Sequence, residues 1–176
     1  MAALRHRTGT RSRANKSGQA AVEFALIVTT MLVLLLALID LSRAVNSVQV
    51  MVGLSRQGSN LASRRTSLPN SVAAVVAGDA PLDLANHGKV IITSVTRTNN
   101  VNVITGQATL GGITSASRIG SVVGQAATVP ASTANMLQGG QTIYVTEVFY
   151  SYQAITPLGA LLHIVLPSTL YQAAYF

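Results

Sequence analysis

The sequence predicts an α+β protein: a long amino-terminal transmembrane helix that continues as an amphipathic stalk, followed by a small, mainly antiparallel β-sheet domain. Three observations predict this fold class. A run of roughly twenty apolar residues ends at Ile39, which is long enough for a helix to cross the hydrocarbon core of a bilayer. Apolar residues then recur at helical spacing to about residue 65, and β-branched segments separated by turn residues follow.

The chain divides into four predicted segments. Residues 1–18 form a basic cytoplasmic leader, 19–40 the transmembrane helix, 41–66 the amphipathic helix and 67–176 a β-rich periplasmic or extracellular domain. The leader contains five of the 12 Lys and Arg residues and no acidic residue, and basic flanks of a membrane helix tend to stay in the cytoplasm. We therefore expect a single-pass protein with its amino end inside and its carboxyl domain outside.

Charge and cysteine content exclude several classes of function. The formal net charge is +7, but beyond the leader seven basic residues face five acidic ones, so the rest of the chain is close to +2. That balance gives no indication of a nucleic-acid partner. The chain has no Cys, which excludes disulfides and thiolate metal sites, and no cofactor is expected.

The helical pattern continues beyond the membrane segment. Its apolar positions recur at steps of four, three and four: Leu41, Val45, Val48 and Val52. Gly53 and Gly58 weaken the helix and could introduce a bend. This stripe could pack on the protein's own domain, or it could serve as a stalk shared with neighbouring subunits, and the two alternatives are compatible.

Residues 68–88 are rich in Pro and Gly and are predicted as loops around a short helix at Val72–Ala77. Asp79 and Asp83 are four residues apart, which raises the question of a cation site. Pro81 lies between them and no third acid is near, whereas hard cations need several oxygen ligands, so we expect no metal site here.

Three strands are predicted in the carboxyl half. Residues 89–97 and 101–105 form a hairpin around the turn at 98–100, and 141–152 form the last strong strand. The stretch 106–140 is rich in Gly, Ser, Thr and Ala, and its elements cannot be placed from the sequence. A loop of that length in a compact domain is often functional or ordered by a partner.

Alternation along the last strand places Glu147 between Val145 and Phe149 on one face, so its carboxylate is expected to be partly buried. Three basic side chains are candidates for pairing with it: Lys89, Arg97 and Arg118. The tail contains a short apolar run at 158–166, which is either a core segment or a docking patch. Aromatic residues at the end add apolar surface: Tyr171, Tyr175 and Phe176.

The start of the membrane segment carries the most specific motif, in which Gly18 is followed by Gln19 and then by the pair Glu23-Phe24. A secretory signal peptide would have a shorter apolar region and a small-residue cleavage site, and a generic signal anchor leaves Glu23 unexplained. The motif resembles the prepilin processing site of type IV pilins, and the Glu-aromatic pair most resembles the Flp (Tad) branch. This resemblance implies cleavage between Gly18 and Gln19, with Glu23 and Phe24 acting in subunit assembly.

The carboxyl half resembles the TadE-like family of the tight-adherence pilus machinery. The stretches that carry the resemblance are VIITSVTR in the first strand, SRIGSVVGQAATVP at 117–130 and GQTIYVTEVFYSYQAITPLG at 140–159. One difference is visible: the second strand has Thr105-Gly106-Gln107 where the family tends to have an aromatic residue, and the chain has no Trp.

The resemblance implies a pilin-like fold and a minor pilin or pseudopilin that helps to assemble or prime a Tad (Flp-type IV) pilus, a system used in adhesion and secretion. The implied partners are other pilins and minor pilins, the prepilin peptidase, the inner-membrane assembly platform and the lipid bilayer. The implied location is the bacterial inner membrane or the pilus tip.

The alternative to the pilus subunit is a membrane-anchored periplasmic binding module that never enters a pilus, and such a protein would keep residues 1–18. An enzyme is not expected, because the sequence has no P-loop, H-E-x-x-H pair, serine nucleophile motif or dinucleotide fingerprint, and His163 lies in an apolar run. No catalytic, cofactor-binding or metal-binding residue is predicted.

Overall fold

The computed structural model describes residues 14–157 and 167–176, with side chains from residue 18 onward and without that of residue 136. The apolar run predicted at 158–166 and the first 13 residues of the leader lie outside the described residues. The predicted α+β fold class is confirmed, because one long helix is followed by a four-stranded antiparallel sheet.

Helix α1 (Ala14–Ser63) is 50 residues long and therefore about 75 Å in length. Gly53 and Gly58 do not interrupt it, since the helix is continuous through both positions. It ends just before Arg65, whose φ of 66° is the left-handed conformation that commonly stops a helix.

Three shorter helices lie between or beside the strands. Helix α2 (Leu68–Ala77) starts four residues earlier than predicted, with a proline in its first turn, where a missing N–H costs no hydrogen bond. Helix α3 (Leu84–His87) is a single turn, and helix α4 (Ala131–Met136) begins after Pro130. The sequence had predicted neither α3 nor α4.

The sheet contains β1 (Gly88–Thr98), β2 (Val101–Gly111), β3 (Thr142–Ser151) and β4 (Thr169–Tyr175) in the order β2-β1-β3-β4. All neighbours are antiparallel. The predicted hairpin is present, and its two turn residues, Asn99 and Asn100, have positive φ as a two-residue hairpin turn requires.

Two corrections to the sequence analysis concern strands. Strand β2 continues to Gly111, which is six residues beyond the predicted end at 105. Strand β4 was not predicted, and it occupies the tail that we had interpreted as aromatic surface. Tyr171 of β4 pairs with Phe149 of β3, and their rings are 5.0 Å apart.

The sheet is covered on both faces. Helices α1 and α2 pack on one face, where the core includes Met51, Val75, Ile92 and Val148. The loop between β2 and α4 covers the other face and buries Ile119 against Val95 and Val145. The Gly- and Ser-rich loop at 112–130 is therefore the second cover of the sheet.

Candidate processing and assembly site

The four residues predicted for processing and assembly lie in the first turns of α1, and Gly18, Gln19, Glu23 and Phe24 are all exposed. The amide Nε2 of Gln19 donates a hydrogen bond to Oε1 of Glu23 over 2.8 Å. This is an i,i+4 pair on one helix face, whereas Phe24 points to a neighbouring face. A helix thus presents these side chains outward, where another protein can reach them.

Gly18 is not required by the packing of this chain. A Cβ atom placed on Gly18 would meet nothing within 4 Å, and its φ is not in the left-handed region. Glycine costs an interior helix position roughly 0.5–1 kcal/mol relative to alanine. The packing and backbone conformation of the described fold therefore give no reason for a glycine at this position.

The apolar half of α1 is uncovered along its length. Every residue from 18 to 35 is exposed, including Leu26 at 64% and Leu32 at 57%. The hydroxyls of Thr29 and Thr30 donate to carbonyl oxygens one turn earlier in the helix, each over 2.8 Å, so they are satisfied without water. The most apolar 18-residue window has a mean hydropathy of 2.7 and none of it is buried. This helix indicates membrane anchoring.

Beyond the membrane segment, the face that packs on the sheet is not the predicted stripe. Leu41 and Val45 are 44% and 49% exposed, and Val48 is only partly buried. The residues that contact the sheet side of the core are mainly small or polar: Ala44, Ser47, Met51, Leu54, Ser55, Gly58, Ser59 and Ala62. The apolar stripe instead lines an open groove beside Leu170 of β4.

Gly58 shows why small residues occupy this face. A Cβ atom at Gly58 would lie 2.8 Å from both Cγ2 and Oγ1 of Thr146, and 3.1 Å from Cγ2 of Val75. The next residue, Ser59, donates to Oγ1 of Thr146 over 2.9 Å and also bonds the carbonyl of Ala174. Helix and sheet approach so closely here that larger side chains would separate them.

Asp40 forms a second notable site, which we call the Asp40 latch: Asp40, Tyr152, Ile155 and Thr156. The Asp40 side chain is fully buried, and it accepts hydrogen bonds from the backbone amides of Ile155 over 3.1 Å and Thr156 over 3.3 Å. The Thr156 hydroxyl also donates to this carboxylate, and the Tyr152 hydroxyl donates to the Asp40 carbonyl over 2.7 Å. Burial, and next the Asp40 charge, raise the pKa of Tyr152, so its phenol keeps the proton that it donates.

The Asp40 latch was not predicted from the sequence, in which Asp40 simply follows the apolar run that ends at Ile39. The available signal was a carboxylate placed directly after about twenty apolar residues, where a charge needs a partner. Its partners lie more than a hundred positions away in the chain, so spacing could not identify them.

Glu147 is buried, as the strand alternation predicted, but its partners differ from the expected cations. Its carboxylate accepts hydrogen bonds from the Ser117 hydroxyl, from the backbone amide of Arg118 over 2.8 Å and from the Tyr171 hydroxyl over 3.1 Å. The side chains of Lys89 and Arg97 instead donate to backbone carbonyls, each over 2.7 Å. Glu147 therefore fastens the covering loop and β4 to the centre of the sheet.

Arg118 contributes to this cluster in two ways. Its backbone amide bonds Glu147, whereas its guanidinium lies 3.7 Å from the centre of the Tyr171 ring, a cation–π distance. Burial, followed by the charge and hydrogen bond of Glu147, raises the pKa of Tyr171 well above its usual value of 10. The phenol thus stays protonated and remains a donor to Glu147.

Asp79 and Asp83 act as local hydrogen-bond acceptors. Asp79 accepts from the Leu84 amide at the start of α3, and Asp83 accepts from the Asn86 side chain over 2.9 Å. Within residues 14–157 and 167–176, no three His, Asp or Glu side chains are grouped so that they could hold a metal ion.

Gln107 fills the place where the TadE-like resemblance led us to expect an aromatic residue. Its Nε2 donates to the Thr93 hydroxyl and to the Gly120 carbonyl, each over 2.9 Å. These polar bonds join β2 to β1 and to the covering loop.

These features define a class: a protein whose single apolar helix anchors a small α+β domain, with an exposed glycine–glutamate–aromatic motif at the start of that helix. Residues 18–60 match the family model described as TadE-like protein, which confirms the predicted resemblance to that family over these residues. The match covers residues 18–60 only, and the family description suggests a connection with the Tad pilus system in general terms.

The matched segment begins at Gly18 and covers most of α1, but it does not include the stretches at 117–130 and 140–159 that carried the resemblance in the sequence analysis. A search of curated proteins found no match, and a search of solved structures found none either.

Proposed function

We propose that the chain is a minor pilin or pseudopilin of a Tad (Flp-type IV) pilus, cut by a prepilin peptidase between Gly18 and Gln19 and active in assembly or priming of the pilus. The observation that carries this proposal is the family match over residues 18–60, which starts at the proposed cleavage position. In this proposal the chain starts in the bacterial inner membrane, with residues 1–18 in the cytoplasm and the sheet domain in the periplasm.

The exposed surface of α1 supports a role in assembly. Residues 18 to 35 are exposed in the isolated chain, and Leu41 and Val45 remain exposed beyond the membrane segment. An apolar surface of this extent needs lipid, other subunits or both to cover it. Other pilins, minor pilins and the assembly platform are the partners that we propose for it.

Cleavage is tested first, by substituting Gly18. We expect Gly18→Val to leave the precursor intact, since the peptidase requires a small residue on the cytoplasmic side of the cut. Gly53→Val is the matched control, because it also places a β-branched residue in α1 where an added Cβ meets nothing within 4 Å. The intact mass of protein extracted from membranes of cells that contain the peptidase gives the result.

A wild-type mass that still includes residues 1–18 would contradict the pilin assignment. It would favour the alternative of a membrane-anchored periplasmic binding module that is never incorporated into a pilus.

A further inference from the structure

Where α1 is expected to leave the membrane, its residue Asp40 contacts the turn at Ile155 and Thr156. Residues 19–39 number 21 and span about 32 Å as a helix, which matches the hydrocarbon core of a bilayer. Asp40 follows at once, so its carboxylate lies at the outer edge of that core. A carboxylate at this depth is costly unless its charge is compensated.

The Asp40 latch supplies this compensation from the sheet domain. Two backbone amides and one hydroxyl of the turn at Ile155 and Thr156 surround the carboxylate, which is 0% exposed. Side chains on a helix tilt toward its amino end, so the carboxylate lies level with the last apolar turn rather than above it. The turn that holds it is therefore brought to the same depth.

The burial of α1 agrees with this depth. Residues 18–35 are all exposed, but Leu36 and Ala37 are partly buried. Asp40 is the first fully buried residue among the described side chains of α1, directly after the apolar segment. The domain therefore reaches the helix at the end of that segment.

Ile155 is the side chain that this arrangement leaves unexplained. It is 61% exposed although it is large and apolar, and its backbone is held by Asp40. Leu38 at 65% and Leu41 at 44% are exposed at the same level of the helix. Ile155 therefore adds an exposed apolar side chain of the domain beside the exposed apolar residues of the membrane helix.

We infer that the turn from Tyr152 to Pro157 is a second membrane contact, in which Ile155 inserts among phospholipids at the outer interface while the Asp40 latch sets its depth. Arg43 and Tyr150, which line a polar pocket beside the latch, are residue types favoured at the level of lipid headgroups. The occupant of this surface is the bilayer, and the inference stands independently of a role in pilus assembly.

The absence of Trp from the chain allows a direct test with the full-length protein in phosphatidylcholine vesicles. Ile155→Trp should emit at shorter wavelength than free Trp and lose fluorescence when the lipids carry bromine near the headgroup end of their acyl chains. Leu34→Trp, within the span, is the positive control. Val101→Trp is the exposed control, because Val101 lies at the opposite end of the sheet from Tyr152.

The inference would be overturned if Ile155→Trp had the same emission wavelength and the same degree of quenching as Val101→Trp. An emission maximum of Ile155→Trp that is shifted to shorter wavelength but is not quenched by brominated lipid would also overturn the inference. The surface that covers residue 155 would then be protein and not lipid.

Cysteine labelling avoids any preference of Trp for the interface, and the chain has no Cys of its own. Ile155→Cys in vesicles should react more slowly with a membrane-impermeant maleimide than Val101→Cys does. Adding Asp40→Ala should raise the rate at residue 155 and leave the rate at residue 101 unchanged. Equal rates in the two single variants would refute lipid contact, and slow labelling that persists without the Asp40 carboxylate would refute the role of the latch.

Discussion

Glu23 is the one charged side chain between Gly18 and Ile39, and its environment distinguishes it from the two buried carboxylates. Asp40 and Glu147 are each surrounded by donors from distant parts of the chain. Glu23 is exposed and accepts a hydrogen bond from Gln19, a residue one turn away. A charged residue at the centre of a membrane helix costs about 2.5–3.5 kcal/mol on translocon-based scales, and the cost is lower near the interface, where Glu23 is expected. The helix amino end and the interface would compensate Glu23 in any membrane anchor, so neither explains why a glutamate occupies this position.

We predict that the role of Glu23 is pairing between subunits. Cleavage after Gly18 would create an α-amino group on Gln19, and that positive charge could pair with Glu23 of a neighbouring subunit. Glu23→Gln and Glu23→Ala should therefore insert and be cut normally but fail to join the pilus assembly. Crosslinking to other pilus proteins measures joining, and intact mass measures cleavage.

Thr29→Ala is the control for this experiment, because Thr29 is also a polar residue of the span but its hydroxyl is satisfied within the helix. It should crosslink like the wild type. If Glu23→Gln also crosslinks and supports pili like the wild type, Glu23 is a passive residue of the interface.

At the scale of elements, the packing of α1 on the sheet depends on close approach. The buried face of α1 contains several small residues beside Met51 and Leu54, and Gly58 lies directly against Thr146. The apolar residues Leu41 and Val45 remain exposed on another face of the helix. The close approach of α1 to the sheet is therefore local to its small residues.

The two glycines of this segment give a matched pair of predictions. Gly58→Ala should destabilise the domain by about 1–3 kcal/mol, because its Cβ would overlap Thr146 in a packed interface. Gly53→Ala should stabilise it by about 0.5–1 kcal/mol, because the added Cβ meets nothing and alanine favours helix. Urea unfolding of the full-length protein in detergent, followed by circular dichroism, compares the two. Equal effects at both positions would show that α1 does not approach the sheet as closely as described.

At the scale of the whole molecule, the membrane helix and the domain are not independent parts. The Asp40 latch joins them through residues that are more than a hundred positions apart in the chain. Removing the membrane segment therefore also removes hydrogen-bond acceptors that the domain uses.

A chain that lacks residues 1–40 should consequently fold poorly by itself. It loses the acceptor for the amides of Ile155 and Thr156, at a cost of about 1–3 kcal/mol. It also keeps the exposed Val45 without the lipid or subunits that we propose to cover it. A chain that begins at Ala37 and keeps Asp40 is the control, and it should melt at a higher temperature. Thermal circular dichroism measures the melting temperature of each chain, and size exclusion measures its oligomeric state. The prediction would be contradicted if the chain without residues 1–40 were monomeric and melted cooperatively at the same temperature as the control.

The sequence by itself determined the elements whose signal is local. The apolar run, the hairpin around Asn99-Asn100 and the alternation that buries Glu147 are all set by composition and period within a few residues. These predictions agreed with the structure because solvent, turn geometry and the pleat of a strand act on neighbouring residues.

Only the tertiary structure decided which groups meet across long separations. It decided that the face of α1 with Met51 and Gly58 packs on the sheet while Leu41 and Val45 stay exposed. It also decided that Thr169–Tyr175 pairs with β3 and that Asp40 bonds the turn at Ile155. Hydrophobic periodicity locates apolar side chains but cannot show how closely two elements approach. A small residue is favoured wherever that approach is tight, and a buried carboxylate is stable wherever the folded chain brings it enough donors.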